Sequence, residues 1–175
     1  MVTIDLITGF LGSGKTTFLK KYAEYLMDQG LHIGILENDF GAINVDMLML
    51  HELRGDQCEL EMIAGGCDAE SHRRRFRTKL ISMRMCGYDR VLVEPSGIYD
   101  VDEFFDVLRE EPLDQWYEIG NVIAILDARL ENNLSQQADY LLASEAANAG
   151  KVILSHADAA TREQCEDTGA HLNRA

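Results

Sequence analysis

Short apolar runs alternate along the chain with longer stretches in which apolar residues recur every three or four positions. The apolar runs predict six strands, of which the third is the weakest, at 2–7, 32–37, 58–63, 90–94, 121–126 and 151–154. The longer stretches predict five helices, at 15–29, 69–85, 101–109, 138–148 and 161–174. Because the strands are almost continuously apolar and helices separate them, the pattern predicts an α/β fold whose mostly parallel sheet is flanked by helices on both faces.

Composition places the chain among single globular domains, here residues 1–175, with 46% hydrophobic and 26% charged residues. Its 30 acidic and 16 basic residues give a net charge of −14, which argues against a nucleic-acid or anionic-membrane binder because both need a basic surface. No apolar run approaches the roughly 20 residues that span a bilayer. The N-terminus lacks the features of a signal peptide, so a cytoplasmic location is expected.

The segment from Gly9 to Thr16 matches the phosphate-binding pattern G-x-x-x-x-G-K-[ST] in full, between a predicted strand and a predicted helix. Glycines let such a loop wrap a polyphosphate so that backbone N–H groups converge on its oxygens, and the following helix N-terminus adds partial positive charge. Lys15 is expected to neutralise the β- and γ-phosphates, and the Thr16 hydroxyl to take one position on Mg²⁺. The other loop residues expected at the nucleotide are Gly12, Ser13, Gly14 and Thr17.

Three further segments lie at the ends of predicted strands, where a nucleotide-binding protein with a phosphate loop would contact its nucleotide. They read E-N-D-F-G at 37–41, E-P-S-G at 94–97 and I-L-D-A at 125–128. Together with G-F-L-G-S-G-K-T-T at 9–17, and in this order, they make the chain resemble the CobW-like metallochaperone GTPases, relatives of UreG and HypB, from about residue 2 to residue 158.

The resemblance implies a three-layer P-loop NTPase fold and a Mg-dependent GTPase that binds GTP and GDP and couples nucleotide state to metal handling. It also implies a nucleotide-linked homodimer and a client metalloprotein as partners. Members of the family commonly carry a further C-terminal domain, so the chain is expected to be truncated relative to them.

By the same resemblance, Asp39 lies in the first switch, near Mg²⁺ and the attacking water. Glu94 then ends the Walker B strand, and Gly97 senses the γ-phosphate through its N–H. Independently of the family, an acidic side chain at the carboxyl edge of a strand beside a phosphate loop is where metal-bridged phosphates are met. The alternative is that Asp39 is a solvated turn residue and Glu94 a helix-cap or ion-pair carboxylate.

The base-recognition loop departs from the family. GTPases of this type read guanine with N-K-x-D, whereas this chain has S-H-A-D at 155–158. Asp158 keeps the carboxylate that accepts from N1–H and N2–H₂ of guanine, a contact that adenine cannot supply. Ser155 replaces only part of the asparagine contact, and His156 can stack on the base. GTP is therefore favoured over ATP, while His156 as a loop residue without a role remains an alternative.

The family's metal signature, C-x-C-C, is incomplete. The chain reads G-G-C-D-A-E at 65–70, which keeps Cys67 and replaces the other two cysteines by alanine and glutamate. A residual site for Zn²⁺ or another transition metal would use Cys67, Glu70 and His72, with Glu37 as a further candidate. The spacing C-x-x-E-x-H is not a recognised ligand pattern, and the alternative is that Cys67 is a small buried thiol.

One basic stretch, residues 72–79 with Arg84 beyond it, reverses the sign of the acidic chain. It could meet an acidic partner, a second subunit or the nucleotide phosphates across a dimer. The ordinary alternative is the solvated face of a helix whose apolar stripe is Phe76, Leu80, Ile81 and Met83.

Three functions are compatible with these residues. The first is a GTPase switch in metal delivery, whose turnover is expected to be slow because no glutamine or arginine finger is evident. The second is an ATP-using enzyme such as a phosphoryl transferase, for which no acceptor pocket or base is identifiable. The third is a non-catalytic nucleotide-binding regulatory module, against which the intact Lys15, Thr16, Asp39 and Glu94 argue.

Overall fold

The computed structural model describes residues 1–10, 12–39, 45–64, 69–95, 101–130 and 135–172. In chain order the elements are β1 (Val2–Thr8), α1 (Lys15–Met27), β2 (Ile33–Asp39), α2 (Val45–His51), β3 (Cys58–Ala64), α3 (Ala69–Arg84), β4 (Arg90–Glu94), α4 (Val101–Leu108), α5 (Leu113–Trp116), β5 (Tyr117–Asp127), α6 (Gln136–Asn148), β6 (Lys151–Ser155) and α7 (Arg162–Leu172). None of the helices in these ranges has the length and apolarity that crossing a bilayer requires.

The six strands form one sheet in the order β3-β2-β4-β1-β5-β6. Every pairing is parallel, with Leu6 in register with Val93 of β4 on one side and with Val122 of β5 on the other. The first strand is therefore central, and the carboxyl ends of all six strands meet along one edge of the sheet. The predicted α/β fold with a parallel sheet is confirmed.

The predicted strands and helices are all present, and two short helices, α2 and α5, were not predicted. The fifth strand begins at Tyr117, earlier than the predicted 121. The residues before 121 were not predicted as strand because they do not continue the buried apolar run. Glu118 and Ile119 are exposed, and a glycine follows them. That glycine, Gly120, is required by packing, since a Cβ on it would lie 2.2 Å from Asp5 Oδ1.

Apolar side chains fill both faces of the sheet. On one face, Leu19, Ala23 and Leu26 of α1 and Leu50 of α2 pack against the sheet. On the other, α3 and α4 contribute Phe76, Leu80, Phe104 and Val107, among others. Helices on both faces make the three layers that the resemblance implied, and burial of each large side chain contributes roughly 1.5–3 kcal/mol.

Gly34 in β2 lies where the end of α3 crosses the sheet. A Cβ built on Gly34 would lie 2.7 Å from Cδ2 of Tyr88 and 2.8 Å from Cε of Met83. The Tyr88 ring is fixed by an edge contact with His32, at 5.1 Å between centroids, and by a hydrogen bond that its hydroxyl donates to Glu59. The neighbours of Gly34 therefore have little room to move aside.

We expect Gly34→Ala to lower the free energy of unfolding by about 1–3 kcal/mol, because it overpacks a filled core. Gly169→Ala is the matched control: a Cβ there meets open space within α7, and the higher helix propensity of alanine should add roughly 0.5–1 kcal/mol. Urea denaturation measures both changes. A Gly34→Ala variant as stable as the unmodified chain would show that the end of α3 yields.

Candidate functional site

The phosphate loop joins β1 to α1, and Lys15 and Thr16 are the first two residues of α1. Both are buried. Lys15 donates from Nζ to the carbonyl oxygen of Phe10 at 3.0 Å, and the N–H of Ser13 donates to the same oxygen at 3.1 Å. The lysine ammonium is thus held inside the loop, where the phosphates of a nucleotide would lie.

The loop requires glycine at its first position. Gly9 has φ 140°, and a Cβ on it would lie 2.1 Å from the carbonyl oxygen of Ile125 in β5. Gly12 and Gly14 also have positive φ, at 78° and 89°. The backbone therefore turns sharply against the neighbouring strand, which only glycine permits.

The N-terminus of α1 faces this loop without a side-chain cap. Its N-cap residue is Gly14, which supplies no side-chain acceptor. The first backbone N–H groups of a helix have no partner within the helix, and with the helix dipole they attract an anion. Together with Lys15, this end of α1 forms a site suited to a polyphosphate.

Two buried carboxylates lie beside the loop at the ends of the adjacent strands. The Thr16 hydroxyl donates to Oε1 of Glu94 at 2.9 Å. Glu37 is in register with Glu94 across the β2–β4 pairing, so the two side chains share one face of the sheet, and both are buried. A hydroxyl and carboxylates are hard oxygen donors of the kind that Mg²⁺ prefers, so these residues fit that ion.

Two predicted nucleotide contacts lie partly or wholly outside the described residues. Asp39 is the last residue of β2 and is in register with Ala64, but its side chain is not among those that the structure describes. Gly97 falls in the range 96–100, which lies outside the described residues. Their roles stay predictions.

The predicted base-recognition residues come together beside the phosphate loop. Ser155, His156 and Asp158 line a cleft of about 320 Å³. The remaining lining residues are Gly14, Thr17, Phe18, Lys21, Ile125 and Ile153. Residues far apart in the sequence thus form a single cleft between the start of α1 and the ends of β5 and β6.

A small polar network fixes the loop that carries these residues. The Ser155 hydroxyl donates to the carbonyl oxygen of Leu126 at 3.1 Å. His156 has φ 52°, in the left-handed region, and its Nδ1 lies 3.1 Å from Oδ2 of Asp127. Arg129 binds the same carboxylate with two nitrogens, at 3.0 and 2.9 Å, and these hydrogen bonds lower the pKa of Asp127 to about 2. Asp127 is therefore a permanent anion that orients the His156 ring.

Glu145 is a buried acid behind the phosphate loop that the sequence reasoning missed. It lies on α6, where it accepts a hydrogen bond from the Thr8 hydroxyl and interacts electrostatically with Lys15. Its Oε2 has no hydrogen-bond donor among the described residues. Burial raises its pKa to about 7, against the smaller opposing effects of Thr8 and Lys15. The one signal in the sequence is that small residues flank this acid, in A-S-E-A-A at 143–147.

The candidate transition-metal ligands are not brought together. Glu70 is exposed on α3 and lies 3.5 Å from Arg74, one turn further along the helix. His72 is buried, with Nδ1 2.9 Å from Oε1 of Glu103 on α4. Cys67 lies outside the described residues, and the described part of the chain holds no group of three metal-binding side chains. Positions two apart on a helix point in different directions, so Glu70 and His72 do not fit one ion.

Comparison with known proteins agrees with this geometry. The family model described as CobW/HypB/UreG, nucleotide-binding domain, matches residues 3–175. The chain is 28% identical over 164 residues to the zinc chaperone YeiR of Escherichia coli, covering 93% of this chain and 49% of YeiR. It is 29% identical over 186 residues to the zinc chaperone YjiA of the same organism, covering 98% of this chain and 55% of YjiA. The chain thus spans about half the length of these curated relatives.

Among solved structures, the chain is similar to the Zn(II)-bound YjiA GTPase from E. coli. The superposition has a TM-score of 0.62 and 21% sequence identity, and it covers 98% of this chain and 54% of that one. At this identity the likeness establishes the fold, which is that of a P-loop NTPase.

Lys15→Ala is expected to abolish tight binding of a nucleoside triphosphate, because it removes the positive charge that is expected to neutralise the β- and γ-phosphates. Lys20→Ala is the matched control, since Lys20 lies on the same helix but pairs with Glu52 on the surface. Displacement of a fluorescent nucleotide measures both. Unchanged affinity in Lys15→Ala would contradict the assignment of the phosphate loop.

Glu145→Gln is expected to stabilise the chain at alkaline pH. Because the pKa of Glu145 is raised from 4.5 to about 7, the folded chain keeps a proton that the unfolded chain releases, and stability falls as the pH rises through that window. The cost is fully present above pH 7 and amounts to about 3 kcal/mol. The stability advantage of Glu145→Gln should therefore be absent near pH 4 and approach that value at pH 8.

Urea denaturation at a series of pH values measures this difference. Glu163→Gln provides the control, because Glu163 is an exposed residue of α7. An advantage of Glu145→Gln that does not change with pH would show that Glu145 ionises normally in the folded chain.

Proposed function

The chain belongs to the CobW/HypB/UreG nucleotide-binding-domain family, and from that membership we propose that it is a Mg-dependent switch that binds GTP and hydrolyses it slowly. The observation that carries the proposal is the phosphate loop itself, with Lys15 held inside it and Thr16 hydrogen-bonded to Glu94. The proposal includes the cytoplasmic location expected from the N-terminal sequence.

Binding of the triphosphate follows from the groups around the loop. The backbone N–H groups from Gly12 to Thr16 would surround the phosphate oxygens, and Lys15 would exchange the Phe10 carbonyl for the β- and γ-phosphates. That exchange replaces one hydrogen bond from the ammonium to a neutral carbonyl oxygen with contacts to phosphate oxygens, in which both partners are charged. The strand end at Glu94 and the helix start at Thr16 support this placement of the γ-phosphate, because the Thr16 hydroxyl is hydrogen-bonded to Glu94 beside the loop.

Thr16, Glu94 and Asp39 are the residues proposed to hold Mg²⁺, with Glu37 as a buried neighbour. The ion would supply positive charge to the phosphate oxygens during transfer of the γ-phosphoryl group. The chain's own contribution is to position the nucleotide through Lys15 and the backbone N–H groups of the loop. Turnover is proposed to be slow, because the sequence offers no evident glutamine for the attacking water and no arginine finger.

Guanine is the proposed base. The cleft beside the loop is open toward Asp158, an exposed carboxylate that can accept from N1–H and N2–H₂ of guanine. His156 lines the same cleft and is held by Asp127, so its ring is available to stack on a base. The Ser155 hydroxyl donates its hydrogen bond to the carbonyl oxygen of Leu126, so its oxygen can only accept from the base.

Metal handling is the biological role proposed for the switch. The curated relatives YeiR and YjiA are named zinc chaperones, so Zn²⁺ is the proposed cargo, and a client metalloprotein and a nucleotide-linked homodimer are the proposed partners. Because Glu70 and His72 face different neighbours, the ligand set predicted from the sequence does not supply the metal site. Cys67 stays the one proposed ligand in that set.

The guanine proposal is tested by competition. With Mg²⁺ present, GTP and GDP are expected to displace a fluorescent guanine nucleotide far better than ATP does, and Asp158→Ala is expected to reduce that preference roughly 10- to 100-fold. Asp167→Ala is the control, since it removes an exposed acid of α7 that does not line the cleft. Equal competition by ATP in the unmodified chain would overturn the guanine assignment.

A further inference from the structure

The basic stretch of α3 divides into two groups that face different parts of the molecule. Arg73 and Arg77 point toward the connection between α4 and α5, where both bind the carboxylate of Glu110, at 2.6 and 3.0 Å. Arg77 also donates to the carbonyl oxygen of Glu111 at 2.8 Å. This half of the stretch is used to attach α3 to its neighbours.

The other half lines a cleft between α3 and β3. The cleft has a volume of about 510 Å³, within the range of sites that hold a small ligand or a few residues of a peptide. Its cations come from α3, its apolar floor from β3, and its lining residues are Met62, Ile63, Arg74, Arg75, Thr78, Lys79 and Ser82. This cleft is separate from the nucleotide site in all of its lining residues.

The cleft reaches the free edge of the sheet. In the described part of the chain, β3 pairs with β2 on one side and with no strand on the other. Met62 and Ile63 are consecutive, so their side chains lie on opposite faces, and a cleft that touches both includes the backbone between them. An open strand edge presents backbone donors and acceptors that an extended peptide can pair with.

Two of the cations in the cleft form ion pairs with carboxylates of the chain itself, which shows how they would bind the acids of a ligand. Lys79 lies 2.8 Å from Oε2 of Glu61, and Arg74 lies 3.5 Å from Oε1 of Glu70. The Arg74–Glu70 pair is largely solvent-exposed, and such pairs contribute little, so a carboxylate from a partner can replace or join Glu70 at small cost. The described lining of the cleft holds three cations and no acid, so it favours acids over bases.

We propose that this cleft, made by α3 and the edge of β3, binds an acidic, extended segment of a partner protein as an added strand. Its carboxylates meet Arg74, Arg75 and Lys79 on the face of the sheet that α3 covers, and its intervening apolar side chains lie on the other face, beside Met62. Charge complementarity singles out this surface, because the chain as a whole carries a net charge of −14 and repels acidic segments elsewhere. The proposal does not depend on which nucleotide the chain binds.

The probe is a blocked, fluorescein-labelled peptide of six residues that alternates glutamate with valine, and fluorescence anisotropy measures its binding to the chain. Saturable binding is expected, and Arg74→Glu/Arg75→Glu should weaken it at least about tenfold. Ser82→Trp should weaken it to a similar extent without any change of charge, because the indole fills the cleft. A peptide with lysine in place of glutamate should not bind.

The matched control is Arg109→Glu/Arg162→Glu, which makes the same charge change at two exposed arginines outside the cleft and should leave binding within about twofold. Urea denaturation midpoints establish that each variant is folded, without reference to nucleotide.

Three kinds of result would overturn the proposal. The first is the absence of saturable binding at peptide concentrations up to about 1 mM, or equal binding by Ser82→Trp, which would reduce the effect to general attraction. The second is displacement of the peptide by free glutamate or inorganic phosphate at equal concentration, which would indicate a simple anion site. The third is self-association of the chain in sedimentation equilibrium that Arg74→Glu/Arg75→Glu abolishes, which would make a second copy the occupant.

Discussion

The close approach of the phosphate loop to β5 is the constraint on which the rest of the site depends. A Cβ at Gly9 would lie 2.1 Å from the carbonyl oxygen of Ile125, so the chain can leave β1 at this angle only through glycine. Since β1 is central in the sheet, the loop then lies between the end of β4 and the ends of β5 and β6. Glu94 reaches it from one side and the Ser155–Asp158 segment from the other, so phosphate and base contacts are set by the same turn.

Several ionisable side chains are buried around this turn, although a stable protein interior does not require buried charges. Glu37, Glu94 and Glu145 are all buried, and so is Lys15, whose charge acts on Glu145. Buried acids are costly unless they are hydrogen-bonded, paired or protonated. Thr16 satisfies one oxygen of Glu94, and the pKa of Glu145 rises to about 7, so part of the cost is avoided. A metal ion bound beside the nucleotide would offset the charge of these acids and of the phosphates together.

Local motifs were readable from the sequence, and contacts between distant segments were not. Lys15 and Thr16 follow from eight consecutive residues, and Glu94 follows from its place at the end of an apolar run. The start of β5 was missed because Gly120 is selected by contact with Asp5 and not by strand propensity. Glu145 was missed because nothing in α6 shows that it packs behind Thr8. Grouping Glu70 with His72 failed because closeness in sequence does not place two side chains on one face of a helix.

The strand order also bears on how docking at β3 and nucleotide binding could influence each other. In the described sheet, β2 lies between β3 and β4, and Asp39 at the end of β2 is in register with Ala64 at the end of β3. A segment added to the edge of β3 is therefore one strand away from the proposed first switch and two strands away from Glu94. Any nucleotide-dependent change at the end of β2 must be shared with β3 through their backbone hydrogen bonds. If a partner binds one nucleotide state more tightly, linkage requires that the same partner shift nucleotide affinity by the same factor.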